Sequence, residues 1–453
     1  MPNLFDDLHY DTALYNGTIL TMDKSYSRYD GGMILIRGNT IVYVGPYQKD
    51  LLMKIPQDQR IDTCRGLIIP GFINTHTHIG MSLFRSLADD TANRLRKVLI
   101  PLEQKFVQPE LVYWASLHTI SEMLLGGTTT FADMYYFAEM TAQAAEESGM
   151  RAIVGESVTT AASPDTSGAQ GGIDRTEELI RLTKDSKLIT AGIAPHAPYS
   201  LTKEDLMAAA ACSQKYNIPI LSHLAEMPFE ERYTLEQYDL RPVPFYDTCG
   251  LLNERAVMAH CIFADEHDRR ILAQRDTGIA HNVSANSKSG KGIAPAYECY
   301  TAGMRIGLGT DGPMSGNTMD MVHLLNMTSK FQKVRLQDPT IMKPREVFEM
   351  ATIGGARALH MEDSIGSLET GKLADITIIS TDSPAMFPIY DPYATIVYSA
   401  SPSDVSLVMV NGKVVMRDRR LITLDTMVIR EASEDFVQRI AKEMNPAQSI
   451  KLQ

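Results

Sequence analysis

The sequence predicts a (β/α)8 barrel of the TIM type, joined to a small β-sandwich domain that is built from both ends of the chain. Three observations predict this fold. Eight apolar strand candidates alternate with helix-type sequence through the middle of the chain. Short β-prone runs occupy both ends. Residues that can bind a metal stand at the C-terminal ends of several of these strands, where such barrels carry their functional groups.

Both chain ends are predicted to contribute strands to the sandwich. In the first part, residues 1–67, the run 33–45 alternates around a Gly-Asn pair as a hairpin does. In the last part, residues 365–453, the run 408–415 has Asn-Gly at its turn, and a terminal helix follows. We therefore expect one small β-rich domain assembled from the two termini.

Residues 68–364 are predicted to form the barrel. Helix-type segments such as 111–125 and 203–216 separate most of the strand candidates. The alternative is a doubly wound open sheet, but no Gly-x-Gly-x-x-Gly fingerprint of a dinucleotide site follows the first strand. The eight strand candidates are 67–78, 128–134, 152–158, 188–196, 218–226, 256–261, 278–283 and 305–311.

Composition narrows the possible partners. The formal net charge of -12 disfavours a nucleic-acid partner, because phosphate binding needs clustered Lys and Arg. The five cysteines are scattered without Cys-x-x-Cys spacing, which disfavours disulfides and a thiolate zinc site. Residues 1–7 lack the features of a signal peptide, and no uncharged apolar stretch approaches the length of a membrane span. We expect a cytoplasmic homo-oligomer, a dimer or tetramer, that acts on a small molecule.

Two histidines at the end of the first strand are the centre of the predicted site. His76 and His78 lie two residues apart, so in an extended strand both side chains point to one face and can chelate one ion. Imidazole suits zinc, iron, copper or nickel, so the pair does not name the metal. His223 ends the fifth strand and Asp311 ends the eighth. We expect these four residues to bind one divalent metal and to leave one position open.

Further polar residues at strand ends can move protons. Glu226 lies three residues past His223, on a loop that can reach over a substrate. His260 ends the sixth strand and can hold an attacking water, whose proton Asp311 can accept. His281, on the seventh strand, is either a packing residue or a substrate contact.

The assembled motifs resemble those of the amidohydrolase superfamily, and within it the 5-methylthioadenosine/S-adenosylhomocysteine deaminase and chlorotriazine hydrolase group. The resemblance implies the same barrel and sandwich, with one divalent metal, usually zinc, on His76, His78, His223 and Asp311. A two-metal site is disfavoured because the fourth strand offers His196 and no bridging lysine. The segments that carry the resemblance are PGFINTHTHIGMSLFRSLADD (70–90), PLEQKF (101–106), GGTTTFADMY (126–135), APHAPYS (194–200), SHLAE (222–226), MAHC (258–261), GIAP (292–295), GLGTDG (307–312) and GSLETGKLADI (366–376).

The resemblance also implies roles for substrate-binding residues. Glu103 would hold ribose hydroxyls, and His196 would contact the purine. Arg175 would lie toward the 5′ substituent. Glu226 would shuttle a proton to the ring nitrogen, and His260 would orient the hydrolytic water.

The expected activity is hydrolytic deamination of an amino-substituted nitrogen heterocycle. A 5′-modified adenosine, giving the inosine derivative and ammonia, fits the resemblance. Glu156 stands where some relatives have an arginine, and its charge leads us to expect 5-methylthioadenosine to be at least as good a substrate as S-adenosylhomocysteine. The alternatives are a guanine, pterin or triazine aminohydrolase or chlorohydrolase, and a non-catalytic metal-binding relative. The intact Glu226 and His260 count against the last.

Overall fold

The computed structural model describes residues 10–444, and within that range the chain forms seventeen β-strands. In chain order the strands are β1 Thr12–Leu20, β2 Arg28–Arg37, β3 Thr40–Gly45, β4 Arg60–Asp62, β5 Leu67–Pro70, β6 Phe72–Thr77, β7 Thr128–Tyr135, β8 Arg151–Val158, β9 Ile189–Pro195, β10 Ile220–Leu224, β11 Ala256–His260, β12 Gly278–His281, β13 Ile306–Leu308, β14 Ile376–Ile379, β15 Val405–Val410, β16 Lys413–Arg417 and β17 Arg420–Leu421.

The same range contains sixteen α-helices, and the predicted helical segments 111–125 and 203–216 are among them. In chain order the helices are α1 Lys49–Met53, α2 Ile100–Phe106, α3 Pro109–Leu125, α4 Ala138–Ser148, α5 Ala169–Thr183, α6 Lys203–Tyr216, α7 Pro228–Tyr238, α8 Pro242–Thr248, α9 Glu266–Gln274, α10 Val283–Lys288, α11 Ala296–Thr301, α12 Met321–Leu336, α13 Pro344–Met350, α14 Ile353–Ala358, α15 Pro392–Tyr398 and α16 Thr426–Met444.

Strands β6 to β13 close into a barrel, in the order β10-β11-β12-β13-β6-β7-β8-β9. Every neighbouring pair in it is parallel. All residues of β7 and β8 are buried, because one face points into the barrel and the other lies under the helices. The prediction of an eight-stranded barrel is confirmed, and its parallel strands bring their C-terminal ends to one rim.

The strands from both chain ends form a single mixed sheet. Its order is β17-β16-β15-β14-β5-β1-β2-β3, with β4 beside β1 as the ninth strand. Strand β5 joins the two halves, since it pairs parallel with β1 and antiparallel with β14. The small β domain built from both termini is therefore confirmed. Residues 1–7, on which the prediction of no signal peptide rests, lie outside the described range.

The first predicted barrel strand, residues 67–78, is in fact two strands in two sheets. Leu67–Pro70 belongs to the mixed sheet, and Phe72–Thr77 belongs to the barrel. Gly71 separates them, and a Cβ at this position would lie 2.1 Å from Thr129 Cγ2. The chain can therefore pass from one sheet to the other only with glycine here. The continuous apolar run concealed this break because both strands are fully buried.

A buried ion pair connects the two sheets. Arg151, at the start of β8, donates from Nε to Asp375 Oδ2 at 2.8 Å and from Nη2 to Oδ1 at 3.1 Å. Asp375 also accepts from the backbone N–H of Asn411 at 2.7 Å. Both charged side chains are almost fully buried, so this bidentate contact fixes the barrel against the mixed sheet. Between residues 10 and 444, no helix has the length and apolar character of a membrane span.

Candidate active site

A cavity of about 960 Å³ opens at the rim formed by the C-terminal ends of the barrel strands. Its size is that of a small-molecule site. Most of the predicted site residues line it, and they are His78, Glu103, His196, His223, Glu226, His260 and Asp311.

The four predicted metal ligands converge at the base of this cavity. His76, His78, His223 and Asp311 each offer one ligand atom, and these atoms all lie within 4.8 Å of one another. His78 Nε2 is 3.1 Å from His223 Nε2 and 3.1 Å from Asp311 Oδ1. His76 Nε2 is 3.7 Å from the same oxygen. The four side chains are buried, and their donor atoms surround one point.

Backbone carbonyls orient two of the imidazoles toward that point. Nδ1 of His78 lies 2.6 Å from the carbonyl of Met134, and Nδ1 of His223 lies 2.8 Å from the carbonyl of His196. A carbonyl only accepts, so each Nδ1 carries a proton, and Nε2 holds the lone pair of each ring in its neutral form. Two such lone pairs would face each other across 3.1 Å. A cation between them removes that repulsion, so the residues fit a metal.

The charges of the site favour a cation as well. Burial lowers the pKa of His78, but the Asp311 carboxylate outweighs this effect and raises it to about 9. A positive charge is therefore favoured beside this carboxylate, and either a proton on His78 or a metal ion can supply it. Burial raises the pKa of Asp311, but the neighbouring His76 and His78 imidazoles hold it well below its usual value. Burial lowers the pKa of His76 to about 4, so this ring is neutral, and its Nε2 lacks a hydrogen-bond partner within residues 10–444. Three imidazoles and one carboxylate suit zinc.

Asp133 supports this centre and was missed in the sequence analysis. Its Oδ1 accepts from the Thr77 hydroxyl at 2.8 Å and from the Ile79 N–H at 2.6 Å. Those two residues flank His78, so the carboxylate fixes the turn that carries it. A buried-type strand with one aspartate, the 126–135 motif, was the available signal. The backbone is also constrained at Asp311, where φ is +62°.

Glu226 lies beside His260, as the proton-transfer roles require. Its Oε1 is 3.6 Å from His260 Nε2, and His260 Nδ1 is 2.8 Å from Asn286 Oδ1. The Lys291 ammonium also donates directly to Glu226 Oε1. Burial raises the pKa of Glu226, but His260 and Lys291 outweigh it and lower the pKa. Lys291 was not predicted, although it directly precedes the GIAP motif, residues 292–295.

Glu103 and His196 occupy other parts of the cavity wall. Glu103, on α2, accepts a hydrogen bond from the Tyr135 hydroxyl at 2.7 Å. Burial raises its pKa to about 7, although Tyr135 and His78 act in the opposite direction. His196 Nδ1 lies 3.0 Å from the Ser200 hydroxyl, and burial lowers the pKa of His196 to about 4. Each therefore presents polar atoms to a cavity occupant.

Arg175 and Glu156 do not line the cavity, contrary to the prediction from the sequence. Arg175 donates to Glu139 Oε2 at 2.6 Å, and its Nε is 3.4 Å from Glu156 Oε1 and 3.4 Å from Asp165 Oδ2. Side chains alternate along a strand, so Ser157 faces the cavity and Glu156 faces the outer helices. The expected contact of Arg175 with a 5′ group, and the repulsion by Glu156, lack a structural basis.

His281 is buried away from the cavity, and burial lowers its pKa to about 3, so it is a neutral packing residue.

An aromatic wall that the sequence did not reveal runs from His196 along Tyr199 to Phe229, with ring centroids 6.0 and 4.8 Å apart. Arg96 lies 5.5 Å from the Phe229 ring centroid. This wall suits a flat heterocycle.

Comparison with known proteins agrees with this geometry. The model of the Amidohydrolase family matches residues 67–415.

The chain belongs to the amidohydrolase family.

This amidohydrolase, a hydrolytic enzyme by family, has curated relatives of nearly the same length. It is 37% identical over 438 residues to the 5-methylthioadenosine/S-adenosylhomocysteine deaminase of Syntrophobacter fumaroxidans, covering 96% of this chain and 99% of that one. It is 36% identical over 434 residues to 5-methylthioadenosine/S-adenosylhomocysteine deaminase 1 of Syntrophus aciditrophicus, covering 95% and 97%.

Solved structures share its fold. An adenosine deaminase from Xanthomonas campestris with bound zinc superposes with a TM-score of 0.93 at 28% identity, over 96% of this chain and 99% of the other. The atrazine chlorohydrolase of Arthrobacter aurescens with zinc has a TM-score of 0.86 at 24% identity, over 94% and 100%. The second likeness concerns the fold alone.

Proposed function

We propose that this amidohydrolase is a metal-dependent deaminase of a 5′-modified adenosine, with 5-methylthioadenosine and S-adenosylhomocysteine as its candidate substrates. One observation carries the proposal. The cluster of His76, His78, His223 and Asp311 lies at the base of the cavity that Glu226 also lines, and this supports a proton-transfer role for Glu226. The names of relatives at 36–37% identity over nearly the whole chain support the same substrates.

The proposed cofactor is one divalent metal per chain, zinc by preference. His76, His78, His223 and Asp311 would hold it, and their mixed imidazole and carboxylate set supports that choice. A divalent cation in such a centre lowers the pKa of water toward neutrality. The zinc in the Xanthomonas campestris structure supports this identity.

The protein side chains would then perform the proton transfers. Asp311, held as a carboxylate by two histidines, accepts the proton of the attacking water. His260 holds that water through Nε2, since Asn286 occupies Nδ1. Glu226 carries that proton to the ring nitrogen beside the amino-bearing carbon. Asp311 then takes the second water proton, which is now on the hydroxyl of the tetrahedral carbon, and passes it to the departing amino group, so that ammonia leaves and the inosine derivative remains.

The remaining wall would recognise the nucleoside. Glu103 keeps one carboxylate oxygen without a protein partner among the described residues, which suits a ribose diol. The ring wall of His196, Tyr199 and Phe229 supports the placement of a planar base. Arg175 and Glu156 lie outside the cavity, so their charges give no reason to expect a preference for the methylthio substrate.

The experiment is a comparison of kcat/KM on one zinc-loaded preparation. The substrates are 5-methylthioadenosine, S-adenosylhomocysteine, guanine and a chlorotriazine, with ammonia or chloride release as the readout. We expect both nucleosides to exceed the other two by at least about 100-fold, because a free base or triazine leaves Oε2 of the buried Glu103 carboxylate without a polar partner. Faster turnover of guanine or the triazine would refute the adenosine assignment.

We also propose that the protein is a homo-oligomer. Phe387 and Tyr390 are 82% and 90% exposed, and Val334 is 73% exposed. Large apolar side chains left in solvent support a contact surface between protein chains. Light scattering after gel filtration would test this, and a mass of one chain at micromolar concentration would contradict it.

A further inference from the structure

Lys291 places a positive charge directly on the proposed proton shuttle. Its ammonium donates to Glu226 Oε1, and no other hydrogen bond or ion pair of this ammonium occurs in the part of the chain described. Its side chain is 19% exposed and that of Glu226 is 11% exposed. The contact is therefore a largely desolvated ion pair inside the cavity, in which a charge-assisted hydrogen bond is stronger than at the surface.

The other cations of the cavity have different partners. Lys288 and Arg94 both bind Asp89 and the carbonyl of Met314 at the rim. Arg96 lies on the ring of Phe229. Lys291 alone among these side chains contacts Glu226, so its position serves that carboxylate and not the general charge of the rim.

The pair leaves the second carboxylate oxygen available. Oε2 of Glu226 lacks a protein partner within the described residues, and Oε1 is taken by Lys291. The backbone is already fixed, because Ala225 has φ +50° and the N–H of Glu226 donates to the Glu230 carboxylate at 3.2 Å. The side chain of a glutamate still has three rotatable bonds. The ion pair with Lys291 restricts rotation about these bonds. This matters because a proton transfer needs its carboxylate placed within a fraction of an ångström.

We propose that Lys291 is a positioning residue that holds Glu226 with Oε2 directed into the cavity for proton transfer to the substrate. The inference rests on the proposed role of Glu226. Lys291 acts through that carboxylate and does not itself bind the substrate or the metal. Removing it should therefore slow the chemical step and leave substrate binding unchanged.

The test is a double-mutant cycle on the full-length, zinc-loaded enzyme with 5-methylthioadenosine. Lys291→Met in the wild-type background should lower kcat about 10- to 100-fold, the range of a hydrogen bond to a charged group. KM should stay within about threefold, and the zinc content should not change. Lys291→Arg, which keeps the charge, should restore most of kcat. Single-turnover rates with excess enzyme then give the effect of Lys291→Met in the Glu226→Gln background. There the decrease in rate should be less than about twofold.

A matched control separates the ion pair from a general effect of removing a lysine. Lys215→Met breaks a lysine–carboxylate pair with Glu177, at 3.1 Å on the outside of the barrel, and should leave kcat unchanged. An equal loss from Lys291→Met in both Glu226 backgrounds would overturn the proposal, as would a rise in KM at constant kcat. If Glu226→Gln itself retains wild-type activity, the proposed function fails instead. If Lys291→Met does not fold, Lys291→Gln replaces it in the same cycle.

Discussion

Replacing Glu103 with glutamine tests how the site would recognise a nucleoside. The carboxylate is buried, and the Tyr135 hydroxyl occupies Oε1 at 2.7 Å, so Oε2 and one further lone pair are available for a ribose diol. Hydrogen bonds to a charged group contribute about 1.5–3 kcal/mol each. Glutamine keeps one neutral acceptor of about 1 kcal/mol. The net loss from two such bonds is therefore about 2–5 kcal/mol, roughly 30- to 5,000-fold in kcat/KM.

The assay measures kcat/KM for 5-methylthioadenosine and for its 2′,3′-dideoxy analogue. The wild-type enzyme should prefer the diol by at least about 30-fold, and Glu103→Gln should discriminate by only about fivefold, the value of one neutral hydrogen bond. Tyr135→Phe is the matched control, because it removes the hydroxyl that donates to Glu103 and keeps the charge. It should cost less, about tenfold. Full discrimination by Glu103→Gln would show that another residue binds the ribose.

The same carboxylate gives a pH dependence with a definite sign. Burial raises the pKa of Glu103 to about 7, and only the ionised form accepts from both hydroxyls. Binding of the diol substrate should therefore weaken as the pH falls through about 7, whereas binding of the dideoxy analogue should not respond. Identical pH profiles for the two substrates would contradict this assignment.

Three further substitutions test other parts of the structure. His223→Ala should abolish both zinc binding and activity while circular dichroism stays unchanged, and retained stoichiometric zinc would remove His223 from the ligand set. Glu226→Gln should keep the zinc but lower kcat about 10²- to 10⁴-fold, as for a general acid–base residue, and wild-type kinetics would exclude that role. Arg151→Met leaves Asp375 buried and unpaired, so chemical denaturation should show a free energy of unfolding lower by about 3–5 kcal/mol. A decrease of less than about 1 kcal/mol would mean that this ion pair does not stabilise the fold.

The barrel and the convergence of the four candidate ligands could be predicted because both depend on regular periods. The two-residue spacing of His76 and His78 places both rings on one strand face, and the structure has their centroids 4.7 Å apart. His223 and Asp311 follow from the rule that parallel strands end at one rim. Neither rule requires knowing which distant residues contact each other.

The predictions failed where the alternation of side chains along a strand was not used, or where the chain has no regular repeat. Side chains alternate along β8, so Glu156 and its neighbour Ser157 point to opposite faces of the strand, and Ser157 faces the cavity. The position of Glu156 was predicted from the family resemblance alone, without using this alternation. Lys291 lies on an irregular loop after α10, where no period predicts the direction of a side chain. The break at Gly71 was invisible because an apolar run that is buried in two successive sheets resembles one long strand.

Zinc titration of the metal-free enzyme tests the central claim most directly. Ammonia release from 5-methylthioadenosine is measured as zinc is restored, and metal content is measured on the same samples. The single cluster of His76, His78, His223 and Asp311 predicts a linear rise that ends at one equivalent per chain, with no activity at zero. Full activity without metal, a plateau at two equivalents, or no ammonia at any zinc level would contradict the account.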